Sequence, residues 1–232
     1  MISSSLLARQ PKSIAIVGNG PVSALDAPKI DEADLVLRFN GARACGAAGQ
    51  RVDILLLNRA RVYMSKRINP VALHRAEEVW VNDTEKNGQV DWLFDRECKA
   101  CYLGLEATEK ARKRLQKYDP FLKSNPTTGA AIVAEFLDSL TDTELHLFGF
   151  THQGRQHTHD WDAEKRWFAD LITERALVSH SSSGPLARRN LAGHATYCAR
   201  FLEKRTKHYV FNRVLHSGEA TKRRIFGVDA SA

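Results

Sequence analysis

Ile14-Ala15-Ile16-Val17-Gly18-Asn19-Gly20-Pro21 is four apolar, strand-type residues running into a Gly-Asn-Gly turn, and its reading decides the fold. A first strand that ends in such a turn is the opening unit of a doubly wound α/β sheet. The absent side chains at Gly18 and Gly20 let the backbone come close to a ligand. The complete G-x-G-x-x-G fingerprint is missing, because position 23 is Ser23. A tight turn without a ligand therefore accounts for the stretch as well as a phosphate site does. The amide of Asn19 adds a group that can both donate to a phosphate or ribose and accept from a base.

Working outward, Ala24 to Lys29 with its internal Pro28 predicts a short or broken helix, and Ala33 to Asn40 a second strand. Asn40 closes that strand, so it belongs beside the crevice beyond the strand carboxyl ends, where ligands of open parallel sheets sit. Arg51 to Asn58 contains the unbroken apolar run of a strand buried on both faces. Val79-Trp80-Val81 is a further short strand. Residues 104–118 predict a surface helix that Pro120 ends. From Gly129 apolar side chains occupy nearly every position, which predicts a helix buried against the sheet, followed by a strand over Glu144 to Phe150. Helical spacing of Trp167, Phe168, Leu171 and Ile172 predicts a helix over Asp162 to Leu177. Ser181 to Pro185 reads as a loop, with a helix near 186–205 and a strand near Tyr209 to Leu215 after it. The fold class expected is α/β: a single Rossmann-like domain over 1–232 with a mostly parallel central sheet flanked by helices. Residues 1–12 are expected to form a flexible N-terminal segment.

The composition bounds the function. At 232 residues the chain can bury one substantial core. Lys plus Arg number 34 against 27 Asp plus Glu, a net charge of +7, so phosphates, acidic sugars, nucleic acid and anionic membrane faces are the partners its field attracts. The basic excess lies in dispersed runs such as 110–114 and 222–224, which read as solvated faces rather than a nucleic-acid patch. Four cysteines make no disulfide framework; Cys98 and Cys101 have suggestive spacing but lack the further ligands of a zinc site. A reducing compartment follows. The start lacks a basic n-region and a long apolar stretch, and nowhere do about 18 apolar residues run together, so neither a signal peptide nor a membrane-spanning helix is expected.

Two later stretches carry chemistry. Asn125-Pro126-Thr127-Thr128-Gly129 precedes the buried helix. It reads either as a simple capped entry or as an anion site, where free N–H groups and the positive end of the helix dipole meet a phosphate. His159 is followed by Asp160, Asp162 and Glu164. A neighbouring carboxylate can fix an imidazole's tautomer and raise its basicity, which suits a general base, although a lone histidine is more often structural or at the surface. His152 and His157 share its loop. No pair of these histidines has the i, i+4 spacing of a zinc helix, so no metal is expected.

In their order these stretches resemble glycosyltransferase family 29, the sialyltransferases, in a short form of bacterial type without a membrane anchor. Residues 14–40 are similar to the large sialyl motif, with Val17-Gly18-Asn19-Gly20 and then Ile30-Asp31 through Val36-Leu37-Arg38-Phe39-Asn40. Residues 126–150 are similar to the small motif, and His159 with Glu164 to the very small one. The resemblance covers about 14–58 and 125–172. It implies a variant of the GT-A-like sialyltransferase fold. It also implies a CMP-sugar donor, bound by Gly18, Asn19, Gly20, Asn40, Thr127, Thr128 and Gly129, and His159 as the catalytic base. His152 or His157 would contact the departing phosphate. The family's disulfide partners fall at Ile14 and Asp142 here, so that bond cannot form.

The function expected on this basis is inverting, metal-independent transfer of sialic acid or a related acidic sugar from CMP to a hydroxyl of a glycan or glycolipid. The CMP-sugar acts as co-substrate and no cofactor is needed. A donor carrying 3-deoxy-manno-octulosonic acid on the same fold is the enzymatic alternative, and a non-catalytic nucleotide- or RNA-binding domain the other. The location expected is cytoplasmic, with peripheral contact to the anionic inner membrane face; nucleic acid is not an expected partner.

Overall fold

A computed structural model describes residues 4–58, 68–83, 99–152 and 159–180. Seven strands among them form one sheet in the order β5-β4-β3-β2-β1-β6-β7, parallel throughout. The strands are β1 (Ser13–Val17), β2 (Leu35–Phe39), β3 (Ile54–Asn58), β4 (Glu78–Asn82), β5 (Lys99–Tyr102), β6 (Glu144–Phe148) and β7 (Val178–His180). From β1 the chain builds the sheet outward to β5, then returns to lay β6 on the other side of β1. That reversal puts a topological switch point between β1 and β6, where a crevice opens at the strand carboxyl ends.

The helices are α1 (Ala27–Glu32), α2 (Pro70–Arg75), α3 (Gly104–Leu115), α4 (Thr128–Ser139) and α5 (Trp161–Thr173). Alternation along the strands sorts them between the two faces. Ile14, Ile16, Leu37, Ile54, Leu56 and Trp80 pack with the buried residues of α3, α4 and α5. Ala15, Val17 and Val36 pack with Ile30 of α1, and Leu55, Leu57, Val79 and Val81 with Ala72 and Leu73 of α2. Both faces are thus covered, which is why Ile54 to Leu57 of β3 are fully buried and apolar without alternation.

The helix expected over 104–118 is amphipathic, with Ala107, Ala111 and Leu115 one turn apart on its buried side. The helix expected to reach Leu177 stops at Thr173. Arg175 takes a left-handed φ of 58°, and the N–H groups of Ala176 and Leu177 both turn back onto the carbonyl of Leu171. Three elements escaped the sequence reading: β5, α2 and the three-residue β7. β5 is four residues long and carries a lysine, while the side chain of Asn69 caps α2 by accepting from the N–H of Val71 and Ala72 ahead of Pro70. The elements expected beyond 180, and Cys98 and Cys198, lie outside the described residues.

Within the N-terminal segment, Leu6 is buried, and Glu78, at the start of β4, gathers the chain at Ser4 and Ser5, while Ala8 to Gln10 are exposed. The carboxylate of Glu78 accepts from Ser4 Oγ at 2.7 Å, Ser5 N–H at 2.9 Å, Ser5 Oγ at 2.6 Å and Trp80 Nε1 at 2.8 Å. Burial pushes the Glu78 carboxyl up, and these donors together outweigh it and hold it below its ordinary value. No helix among the described residues is long and apolar enough to cross a membrane.

Candidate functional site

A cavity of about 570 Å³ occupies the switch point. Its floor is the turn after β1, Gly18 to Pro21; one wall is Phe39, Asn40, Arg43 and Asn58 from the ends of β2 and β3. The other wall is Gly149 to His152, after β6, and Thr127, Thr128 and Gly129 at the start of α4 face His159, Trp161 and Glu164 at the start of α5. Gly18, Asn19, Gly20, Asn40, Thr127, Thr128, Gly129, His152 and His159, all singled out in the sequence, therefore line one space. His157 lies outside the described residues.

The geometry assigns the glycines a different reason from close approach to a ligand. A Cβ on Gly18 would stand 2.6 Å from the carbonyl oxygen of Gly149, and one on Gly20 only 2.4 Å from it. The two turns interlock backbone to backbone, fixed by Gly18 N–H donating to Phe148 O at 2.7 Å and Gly20 N–H to Gly149 O at 3.0 Å. Gly129 yields its side-chain space to the ring of Phe150, 2.8 Å from where its Cβ would be.

Asparagines mark the rim. Asn19 Nδ2 donates to the carbonyl of Phe39 at 3.2 Å and ties β1 to β2, while its Oδ1 is buried without a partner among the described residues. Asn40, at a left-handed φ of 45°, accepts the N–H of Asn58 on its Oδ1 at 2.9 Å, which leaves its two Nδ2 hydrogens to donate. Asn82, at the end of β4, donates to Thr128 Oγ1 at 3.4 Å. The sequence reading noticed Asn19 and Asn40 but missed that β3 and β4 also run from apolar residues into an asparagine. That repeated pattern was legible.

At the start of α4 the first N–H groups have no intrahelical acceptor. Thr127 caps the helix by accepting the N–H of Ala130 at 3.0 Å. Its own N–H and hydroxyl both donate to Glu164, at 2.7 and 2.9 Å. The Thr127 hydroxyl is thus committed inside the protein, and the N–H groups of Thr128 and Gly129 with the Thr128 hydroxyl are what α4 offers to an anion.

His159 Nδ1 is 2.6 Å from the carbonyl oxygen of Asn125. A carbonyl only accepts, so Nδ1 carries a proton, and in the neutral ring the lone pair is on Nε2. The ring stands edge to face on Trp161, with centroids 5.2 Å apart. The expected carboxylate partners are engaged elsewhere: Asp160 caps α5 by accepting the N–H of Ala163 at 2.8 Å, and Glu164 holds Thr127. Orientation of His159 thus comes from a backbone carbonyl rather than a carboxylate. His152 sits edge to face on Phe168 at 4.6 Å. Burial, helped by Lys165, holds its pKa below the ordinary histidine value, so it is neutral near pH 7. Glu164 is buried with only 1% exposure, and burial chiefly, with Asp160 adding, pushes its carboxyl up to about 7 against the two bonds from Thr127.

Two other residues of the large-motif stretch hold the frame instead. Arg38 is fully buried and donates to the carbonyls of Arg51 and Ala48, both at 2.9 Å; Asp31 accepts the N–H of Gln50 at 2.8 Å and of Arg51 at 2.9 Å. Together they pin the loop leading into β3.

No family model matches the chain. It is 26% identical over 196 residues to the urease operon 23 kDa accessory protein of Rhizobium meliloti (strain 1021), covering 71% of this chain and 90% of that protein. Among solved structures it is similar to a mammalian sialyltransferase, with a TM-score of 0.54 and 15% identity over 74% of this chain and 69% of that one. A mammalian sialyltransferase in complex with Gal-beta-1-3GalNAc-ortho-nitrophenol gives 0.51 and 16%, over 74% and 70%. The likeness to these structures is one of fold: a single α/β domain around a parallel sheet.

Proposed function

We propose that the chain is an inverting glycosyltransferase that takes an acidic sugar from a CMP-sugar donor. One observation carries the reading: the turn after β1, the start of α4 and an imidazole held through Nδ1 by a backbone carbonyl line a single cavity at the switch point. The donor's phosphate would lie against the N–H groups of Thr128 and Gly129, with Asn19 and Asn40 serving the nucleoside. The buried, unpartnered Oδ1 of Asn19 is an acceptor that a base or ribose donor would satisfy. His159 Nε2 would take the proton from the acceptor hydroxyl as that oxygen bonds to the anomeric carbon. The bond from that carbon to the phosphate oxygen breaks on the opposite face, and CMP leaves. The step as written uses no metal. His152, neutral at the same cavity, can donate one N–H to the departing phosphate. Sialic acid is the first sugar to test and 3-deoxy-manno-octulosonic acid the second; a glycan or glycolipid supplies the hydroxyl, and the net charge of +7 suits both an acidic donor and an anionic membrane face. A cytoplasmic location belongs to this proposal.

A second reading is a nucleotide-binding domain that does not transfer; the likeness to a protein named as a urease operon accessory protein, a name that states no transfer, favours it on that point alone. Calorimetric titration with CMP and assays with both CMP-sugars separate the two. The first reading expects CMP to bind, His159→Ala to retain CMP affinity while losing about 10²–10⁴-fold in turnover, and Asn19→Ala or Thr128→Ala to weaken CMP itself. CMP binding with no turnover of either donor would favour the second reading. Absence of CMP binding would remove the donor assignment.

A further inference from the structure

Glu164 poses a problem for an anion site. It places a buried carboxylate against the cap of α4, the helix whose free N–H groups face the cavity, and an ionised carboxylate there cancels the field that would attract a phosphate. The hydrogen bonds contain the remedy. With Glu164 ionised, the Thr127 hydroxyl must donate to it, since a carboxylate only accepts. With Glu164 protonated, its O–H can donate to Thr127 Oγ1, which already accepts from Ala130. The hydroxyl hydrogen of Thr127 is then released toward the cavity that this residue lines.

We propose that Glu164 takes up a proton from solvent when an anionic group docks at the start of α4, and that this proton turns the Thr127 hydroxyl into a donor to the ligand. Glu164 is a positioning residue in this scheme, acting through Thr127. The inference rests on the reading of the cavity as an anion site, in which the N–H groups of Thr128 and Gly129 face the same space as Thr127 and Glu164. Burial, which leaves the ionised form of Glu164 poorly solvated, favours the same direction. The other titratable and charged groups around it are Asp160 and His159 on its own segment and His152 after β6. Arg43 stands on the β2 wall, and Arg112 of α3 donates to Asn125 Oδ1 at 2.6 Å. Asp160 is held by Ala163, and His159 by Asn125.

The test follows the side-chain carboxyl of Glu164 by carbon NMR across a pH titration, in the full chain alone, with CMP and with inorganic sulfate. Sulfate does not itself titrate in this range, so any uptake seen with it belongs to the protein. The expected result is an upward displacement of the Glu164 midpoint with either ligand. Calorimetry near pH 8 in buffers of different ionisation enthalpy should show uptake of up to about one proton per ligand, lost in Glu164→Gln and reduced in Thr127→Val. Thermal melts establish that both variants fold. A ligand that binds without moving the Glu164 midpoint, or unchanged uptake in Glu164→Gln, overturns the inference while leaving the nucleotide reading intact. Sulfate moving the midpoint while CMP fails to bind upholds the inference and removes the nucleotide. Binding of neither overturns both.

Discussion

Two buried glutamates titrate in opposite senses, and each makes a prediction at the scale of the single residue. The pKa of Glu164 is raised to about 7, so its contribution to stability is complete below the unfolded value near 4.5 and is lost as pH rises through 7. The loss amounts to about 3 kcal/mol at most. Glu164→Gln should flatten that decline, gaining stability relative to the parent at pH 8 compared with pH 5 in urea titrations. Glu78 is the reverse case. Its carboxyl lies below the ordinary value, so its contribution is present above about 4.5 and disappears as pH falls through the folded value. Glu78→Gln should cost about 1–3 kcal/mol at pH 7 and, by releasing the segment, speed tryptic cleavage after the already exposed Arg9 and Lys12, which limited proteolysis would detect. A cut rate equal to the parent's would mean that Glu78 does not hold the segment. Neither role was legible in the sequence. Glu78 sits among strand residues with nothing local to mark its distant serine partners, and Glu164 was visible only as a neighbour of His159 rather than as the partner of Thr127.

At the scale of elements, the site is made by two turns that share one volume. Gly149, at a φ of 68°, has Val22 Cγ2 only 2.8 Å from where a Cβ would be, and its carbonyl fills the space that Gly18 and Gly20 leave. Gly149→Ala should therefore cost about 2–4 kcal/mol, combining backbone strain with overpacking. Gly46→Ala, at a φ of 91° with nothing within 4 Å, should cost only the strain, about 1–2 kcal/mol. Equal midpoints for the two variants in urea would dismiss the interlock. The sequence revealed β1, β2, β3, β4, α4 and β6 because each carries its own apolar pattern. It could not reveal why Gly18 lacks a side chain, since the answer lies on a strand far along the chain. β5 and β7 stayed hidden for a related reason: four and three residues are too few to show a period, and only pairing with β4 and β6 makes them strands.

For the whole molecule, the parallel sheet and the reversal between β1 and β6 bring residues 18–20, 40, 127–129 and 159 together, although no local feature links them. The order of the strands was not read from the sequence; what was read was that ligands of such sheets gather beyond the carboxyl ends, and the cavity lies there. Ser13 pairs with Glu144, although four strands and their helices separate the two in the chain. A guest held by the turns after both strands would rivet two parts of the polypeptide that are synthesised far apart in time. Slowed amide exchange on ligand addition should consequently be greatest along Ile14 to Val17 and Leu145 to Phe148 and least in the outlying strand Lys99 to Tyr102. A ribosome would have to release nearly the entire sheet before the emerging protein could retain its ligand.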